Sequence, residues 1–151
     1  MEVNKIMTKT VKSVSPGDSI KNVAVMICTG NFSGAPVVDD DGKIVGMISE
    51  KDILKAMYPS QQDFYNDPAA AKNFDATQGR YTEVMQRSVA DCMCKNVTAV
   101  DTETHILEAA SIMLRRIIRR IPVIDKENRL VGIVSQGDIH QAIFKDKLLD
   151  N

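Results

Sequence analysis

The alternation of apolar and polar positions predicts the same helices and hairpins twice along the chain. Apolar residues recur at helical spacing from Ile20 to Ile27, and again from Ile106 to Ile117. This spacing is typical of amphipathic helices with one buried face. Each helix is followed by a short apolar segment, a polar turn and a second apolar segment, which together predict a β-hairpin. The predicted hairpin strands cover 35–38 with 43–49, and 122–124 with 130–135.

Shorter elements complete each copy. A strand is predicted before each first helix, over 9–14 and 96–100, and a short helix after each hairpin, over 52–57 and 138–144. The hairpin turns carry Gly42 and Asn128, the two residue types that best tolerate a positive φ. Each copy therefore has the order β-α-β-β-α, and the fold class is a mixture of helix and sheet, α/β or α+β.

The two copies align without a gap, because every matching pair of residues lies 86 positions apart. The matches include Pro36 with Pro122, Gly46 with Gly132, Ser49 with Ser135, and Asp52 with Asp138. Such self-similarity is the signature of an internal duplication. One copy alone is too small to bury enough apolar surface for stability. We therefore expect the two copies to pack together as a pseudo-twofold pair.

The duplication divides the chain into three parts: repeat 1 over 7–57, a connector over 58–88, and repeat 2 over 89–145. The connector has a helical pattern of its own, with Ser60 to Asp63 suited to cap one helical turn. A segment of this length inside a compact protein is more often packed than disordered. It therefore serves either as a plain connector, which we favour, or as a lid or partner surface.

Composition narrows the functional classes. The chain has 44% hydrophobic and 26% charged residues, a net charge of −1 and a sequence pI of about 6.1. This balance argues against broad binding to nucleic acid or to a membrane surface. The first residues contain no apolar signal core, and no run of 18 apolar residues occurs. We expect a cytoplasmic protein without a membrane segment.

The residues that commonly carry catalysis form no recognisable site. The three cysteines, Cys28, Cys92 and Cys94, include a C-x-C pair rather than the C-x-x-C of zinc and redox motifs. The two histidines, His105 and His140, have no zinc spacing relative to them. The sequence contains no nucleophile beside a base and no glycine-rich phosphate loop of the P-loop type. We therefore predict no catalytic residues, no metal site and no enzymatic activity.

The duplicated motif resembles that of a known family. In each copy the segment reads P-V-h-D, a turn, then V-G-h-h-S-x-x-D-I, where h is apolar; these segments run over 36–53 and 122–139. This arrangement resembles a tandem pair of cystathionine-β-synthase (CBS) domains, also called a Bateman module. The resemblance covers both repeats, about two thirds of the chain. Either motif alone would be modest evidence, whereas two copies in register are strong evidence.

The resemblance implies a regulatory function. Modules of this kind typically bind adenine nucleotides such as AMP, ADP or ATP, and some bind S-adenosylmethionine. They regulate an attached or separate protein, and two modules commonly pair into a flat homodimer. The expected partners are thus an adenosyl nucleotide, a second copy of the chain and an unidentified effector protein. No cofactor is expected besides this regulatory ligand, although Mg²⁺ would accompany ATP if ATP is bound.

The same resemblance assigns the ribose-binding residues. They would be Ser49 with Asp52 and Ser135 with Asp138. An ionised carboxylate suits this role, because it can accept two hydrogen bonds from a cis-diol. The alternative interpretation is that both aspartates only cap the helices that follow.

Each expected cleft combines residues of both repeats. One cleft would contain Met7, Lys12, Ser33, Gly34, Ala35, Ser135 and Asp138. The other would contain Ser49, Asp52, Met93, Thr98, Arg119, Arg120 and Ile121. Since only the second set contains arginines, which suit forked contacts with phosphate, we expect the Ser49/Asp52 cleft to be the preferred nucleotide site. The other cleft would be weaker, empty or suited to a less charged adenosyl ligand.

Three alternatives remain open. Arg115 and Arg116 could also contact phosphate, or they could lie on a solvated helix face near its C-terminus. The cluster from Arg115 to Arg120 could bind nucleic acid, although the acidic balance of the chain argues against this. Finally, the protein could be a dimerising scaffold whose ligand sites are degenerate or of the S-adenosylmethionine type.

Overall fold

The computed structural model of the chain describes residues 1–30 and 32–149. The helices are α1 (Ile20–Thr29), α2 (Glu50–Met57), α3 (Gln61–Asn66), α4 (Pro68–Ala71), α5 (Phe74–Gly79), α6 (Tyr81–Met85), α7 (Val89–Cys92), α8 (Ile106–Arg116) and α9 (Gln136–Phe144). A 3₁₀ turn (Val3–Lys5) precedes them and a π-helical turn (Lys145–Leu149) follows. The strands are β1 (Gly34–Val38), β2 (Ile44–Ser49), β3 (Val100–Asp101), β4 (Arg120–Ile124) and β5 (Leu130–Ser135). Mixed helix and strand content confirms the predicted fold class.

The chain divides into two compact units. The first unit contains Met1–Lys12, Val38–Ile44 and the chain from Val97 onward, and the second contains Ser13–Val37 and Val45–Asn96. The first unit therefore combines most of repeat 2 with the N-terminal segment and the hairpin turn of repeat 1. The second combines most of repeat 1 with the connector and the first residues of repeat 2.

The core of the second unit lies between α1, the hairpin strands β1 and β2, and α2. Ser19 caps α1 by accepting the Asn22 N–H, and Ile20 and Val23 of this helix are buried with Ile48 of β2. The chain after the connector adds Val89 to the same core. The predicted helical pattern of the connector is confirmed, since α3 to α6 occupy it.

The core of the first unit lies under a three-stranded sheet. β3 pairs in parallel with β4, and β4 pairs antiparallel with β5, with Arg120 opposite Ser135. Ile121 and Val134 of this sheet are fully buried. Val3, from the N-terminal segment, is fully buried in the same core.

The two predicted strands before the first helices are largely wrong. Instead of a strand over 9–14, the structure has two isolated bridges: Thr8, just before this region, pairs with Ile133, and Val14, at its end, pairs with Val37. The described residues between these bridges form no ladder. The second predicted strand, 96–100, is reduced to Val100–Asp101. β-Branched residues alone do not produce a strand where no partner strand runs alongside.

The turns follow the prediction, but the end of α8 does not. Gly42 and Asn128 both have positive φ, +79° and +64°, which confirms the two hairpin turns. Ile117 was predicted on the buried face of the second long helix, and this is wrong. Its φ is +56° and its side chain is 92% exposed. The helix ends at Arg116 because Ile117 forms a left-handed cap, and the following Ile118 N–H bonds back to the Met113 carbonyl.

Candidate functional site

Ser49 and Asp52 lie where β2 ends and α2 begins. The Asp52 Oδ2 atom accepts hydrogen bonds from the Ser49 backbone N–H and from the Ser49 hydroxyl, both at 2.9 Å. The Ser49 Oγ atom in turn accepts the Asp52 N–H at 3.4 Å. This reciprocal arrangement is a capping box, and it fixes the carboxylate at the start of the helix.

Ser135 and Asp138 repeat this geometry between β5 and α9. The Asp138 Oδ2 atom accepts the Ser135 N–H at 2.8 Å, and the Ser135 Oγ atom accepts the Asp138 N–H at 3.1 Å. Ser49 and Ser135 are thus the N-cap residues, and each aspartate is the third helical residue of a capping box. Whether the aspartates also hold a ligand stays a prediction. Capping nevertheless uses only one oxygen of each carboxylate. In both residues Oδ1 accepts no hydrogen bond from the described part of the chain, and both side chains are half-buried. Each keeps an acceptor for a ligand hydroxyl.

The duplicated glycines mark a close approach of methionine to each hairpin. A Cβ atom on Gly46 would lie 2.6 Å from the Met93 Sδ atom, and one on Gly132 would lie 2.5 Å from the Met7 Sδ atom. The methionines are held there by backbone hydrogen bonds of their neighbours, between Cys94 and Met47 and between Thr8 and Ile133. The Ser49/Asp52 pair therefore shares its unit with the half-buried Met93, and the Ser135/Asp138 pair shares its unit with the half-buried Met7.

Residues before the proline of each repeat lie beside the Ser–Asp pair of the same repeat. A Cβ atom on Gly34 would lie 2.4 Å from the Ile48 carbonyl oxygen, and the Ser33 carbonyl accepts the Glu50 N–H at 2.9 Å. In the first unit the Arg119 carbonyl accepts the Gln136 N–H, also at 2.9 Å. The β1 and β4 strands thus begin next to the helix N-termini.

The predicted site residues fall into two groups. The structure brings Ser33, Gly34, Ala35, Ser49, Asp52 and Met93 together in the second unit, and Met7, Arg119, Arg120, Ile121, Ser135 and Asp138 in the first unit. Arg119 and Arg120 are exposed, whereas Ala35 and Ile121 are buried; Lys12 is exposed and Thr98 half-buried. The sequence assigned the arginines to the Ser49/Asp52 cleft and Ser33–Ala35 to the other. That division of the clefts stays a prediction.

A cavity of about 440 Å³ lies beside Asp138 in the first unit. It is lined by Met1, Lys5, Ile6, Asp138, Gln141, Ala142, Lys145 and Asp146. Sequence reasoning missed Lys5 and Lys145. The signal was available on α9, since Gln141, Ala142 and Lys145 follow Asp138 at the spacing of one helix face.

Cys92 lies near the Ser49/Asp52 pair. Burial is the main reason that the pKa of the Cys92 thiol is raised; the Arg87 guanidinium lowers this pKa, and the Asp91 and, least, the Asp52 carboxylates raise it. The net shift is upward, so the thiol stays protonated at neutral pH. A neutral thiol therefore lies in the neighbourhood of the Asp52 carboxylate.

The motif of each repeat also matches a family model. The model of the CBS domain matches residues 3–59 and again residues 89–145. The chain belongs to the CBS-domain family. The predicted resemblance is thereby confirmed, and the chain carries a tandem pair of CBS domains.

Relatives and solved structures match nearly the whole chain. The uncharacterized protein MJ1426 of Methanocaldococcus jannaschii is 32% identical, covering 95% of this chain and 92% of the relative. The chloroplastic CBS domain-containing protein CBSX1 of Arabidopsis thaliana is 28% identical over 96% of this chain, which spans only 65% of that relative. The crystal structure of CBSX2 in complex with AMP superposes with a TM-score of 0.73 and 26% identity, covering 97% of this chain and 98% of CBSX2.

The described helices of this CBS pair are short. Across residues 1–30 and 32–149, none has the length and apolar character required to cross a bilayer.

Proposed function

We propose that this chain is a regulatory module that binds adenosine-containing ligands of the AMP, ADP and ATP class and signals their binding to a partner protein. The proposal rests chiefly on the duplicated Ser–Asp capping box. Each box fixes a carboxylate whose second oxygen accepts no hydrogen bond from the described residues. An acceptor held in this way suits a ribose hydroxyl.

The surroundings of each carboxylate support an adenosine ligand. Met93 and Met7 place thioether side chains in the same units as Asp52 and Asp138. Methionine packs well against flat aromatic groups such as a purine ring. The CBSX2 structure, 26% identical, contains AMP, and this neighbour supports the nucleotide class.

Regulation would operate without catalysis in this chain. A ligand changes the conformation of a protein only when it binds one arrangement better than another. A partner protein would then recognise the favoured arrangement. A homodimer is part of the proposal, and exposed apolar side chains on α8, Leu107 at 55% and Leu114 at 72%, favour such contacts. A cytoplasmic location remains our expectation.

The arginines at the end of α8 support a local role rather than nucleic-acid binding. Arg115 and Arg116 lie exposed in the last turn, and the Arg115 Nε–H donates to the Ser111 carbonyl at 3.4 Å. Cations at this end of a helix are favoured by its dipole. Binding to a nucleic-acid backbone would fall steeply with salt, whereas binding of a mononucleotide would fall much less.

Thermal unfolding with a ligand panel tests the proposal. The panel contains AMP, ADP, ATP, S-adenosylmethionine and GTP, and the protein is first freed of co-purified nucleotide. A ligand at about 100 times its Kd should stabilise the fold by about 2.7 kcal/mol. We expect stabilisation by adenine nucleotides and not by GTP. If no adenosyl ligand changes the melting temperature at millimolar concentration, the degenerate-scaffold alternative replaces the proposal.

A further inference from the structure

The cavity beside Asp138 is an open, mostly polar depression that is large enough for a small molecule. Its volume, about 440 Å³, lies within the usual range for ligand pockets. Its lining comes from α9 with Asp138, from the π-helical turn that follows with Lys145, and from the N-terminal segment with Lys5. All the lining residues belong to the first unit.

Two lysines and two aspartates line this cavity, so their formal charges cancel, but they are not paired with one another. Lys5 and Lys145 form no ion pair with any described carboxylate, whereas Asp146 pairs with Lys147 at 3.3 Å. The Asp138 carboxylate is engaged through Oδ2 by the Ser135 backbone. The cavity therefore offers two ammonium groups without a partner and one carboxylate oxygen that is free to accept.

The helix separates these groups along a single line. Lys145 follows Asp138 by seven residues, which is two helical turns or about 10 Å along the axis. Long side chains in an α-helix generally lean toward its N-terminus, which is the direction from Lys145 to Asp138. A hydroxyl acceptor at one end and an anion-binding group at the other suit a molecule that carries a sugar and, some distance away, a phosphate.

The counterpart positions in the second unit lack these lysines. Shifted by 86 residues, Lys5 corresponds to Asp91 and Lys145 to Pro59. The two Ser–Asp pairs are therefore alike in hydrogen bonding but different in the charge nearby. In the second unit a carboxylate thus takes the position of Lys5, and an uncharged proline takes that of Lys145.

We propose that the Asp138 cavity selects adenosine ligands that carry a phosphate, with Lys5 and Lys145 as the residues that bind it. The proposal rests on the proposed function, since it assigns a ligand class to one of its two sites. An ammonium group is a compact point charge suited to phosphate. The same charges oppose a sulfonium ligand, which is cationic, and they add nothing to the binding of neutral adenosine.

Calorimetric titration of the full chain tests this selectivity. The parent variant is Asp52→Ala, which leaves Asp138 as the intact ribose carboxylate. Adenosine, AMP and S-adenosylmethionine are titrated into this parent, into the same protein with Lys5→Gln and Lys145→Gln, and into a control with Lys126→Gln. Lys126 is exposed in the β4–β5 turn and lines no part of the cavity.

In the parent we expect AMP to bind about tenfold more tightly than adenosine, because two exposed charge contacts are each worth about 0.2–1 kcal/mol. The double lysine variant should lose about this factor for AMP and little for adenosine, and the Lys126 control should change neither. Higher salt should weaken AMP more than adenosine.

The possible failures are distinguishable. Equal binding of AMP and adenosine by the parent, or equal loss of both in the double lysine variant, would overturn the assignment of the lysines. Binding by the wild type but not by the parent would also overturn it, while leaving the proposed function intact through the Asp52 site. If adenosine and AMP bind neither the wild type nor the Asp52→Ala parent, the proposed function itself fails.

Discussion

Replacing Gly34 by alanine perturbs the closest backbone approach in the candidate site. A Cβ atom at this position would lie 2.4 Å from the Ile48 carbonyl oxygen and 2.9 Å from the Ser49 Cα atom. Both neighbours are backbone atoms, so no side-chain rotation relieves the contact, and β1 must move away from β2. Comparison of the two repeats alone would suggest that a side chain is tolerated at position 34, because the equivalent position in the second copy carries Arg120.

The cost can be bounded from these contacts. Overpacking of this kind costs about 1–3 kcal/mol, and alanine recovers about 0.5–1 kcal/mol by restricting the unfolded chain. The net loss of about 1–2 kcal/mol should lower the melting temperature by about 2–8 °C for a chain of this size. The free energy of unfolding, measured by urea denaturation, and calorimetric melting both report this loss.

A matched glycine provides the control. In Gly137→Ala the new Cβ atom would meet nothing nearer than the Ser135 Oγ atom at 3.6 Å. Gly137 lies in the first turn of α9, where alanine is the better helix former, so this variant should be as stable as the wild type or more stable. A Gly34→Ala protein as stable as the wild type would refute the reasoning, since the two strands would then separate without cost.

Three further predictions concern single positions. Ile117→Gly should stabilise the fold by about 1 kcal/mol in urea denaturation, because glycine adopts the left-handed cap without strain; a less stable variant would contradict this. Hydrogen bonds, chiefly from the Arg129 backbone N–H, hold the pKa of Asp125 below its usual 3.8. The ionised Asp125 carboxylate therefore stabilises the fold fully above pH 3.8. This stabilisation is lost as the pH falls through the lowered pKa. Asp125→Asn should therefore melt below the wild type at pH 7, with the difference narrowing below pH 4; a constant difference would contradict it. Because its pKa is raised, Cys92 should be alkylated by iodoacetamide at pH 7 more slowly than the exposed Cys94, as measured by mass spectrometry. Equal alkylation rates of the two thiols would contradict this and show that the burial of Cys92 is transient.

Much of the fold could be predicted because it depends on local patterns that occur twice. Gly42 and Asn128 indicated the hairpin turns, and both have positive φ. Ser60 and Asp63 indicated a cap, and they form a capping box at α3. Local hydrogen bonding decides these features, so sequence suffices.

The missed features depend on contacts between distant parts of the chain. Ile117 continues the apolar spacing of α8, yet the helix ends before it, and no turn residue announces the end. Val3 lies before the first repeat, but it is fully buried in the core of the first unit. Periodicity within one segment carries no information about which distant segment covers it.

The candidate site divides in the same way. The duplicated motif located Ser49, Asp52, Ser135 and Asp138, because their capping geometry is local. Lys5 remained unassigned because it meets α9 only through the fold. A local motif therefore locates the capping carboxylates more readily than charges that distant segments bring to the same cavity.

The central question is whether Asp52 and Asp138 hold a ligand or only take part in helix capping. The chain contains a matched control for this question. Ser60 and Asp63 form the same capping box at α3, in the connector and outside both Ser–Asp sites. Asp52→Ala, Asp138→Ala and Asp63→Ala each remove the carboxylate of one box. Each variant should melt below the wild type without ligand, because the helix N-terminus loses a cap.

The decisive measurement is the AMP-induced change in melting temperature for these variants and for the Asp52→Ala, Asp138→Ala double variant. We predict that Asp63→Ala keeps the full stabilisation of the wild type, that each site variant loses part of it, and that the double variant loses nearly all. The same AMP-induced stabilisation in all four variants, with each of them folded, would contradict the account, since both aspartates would then be helix caps alone.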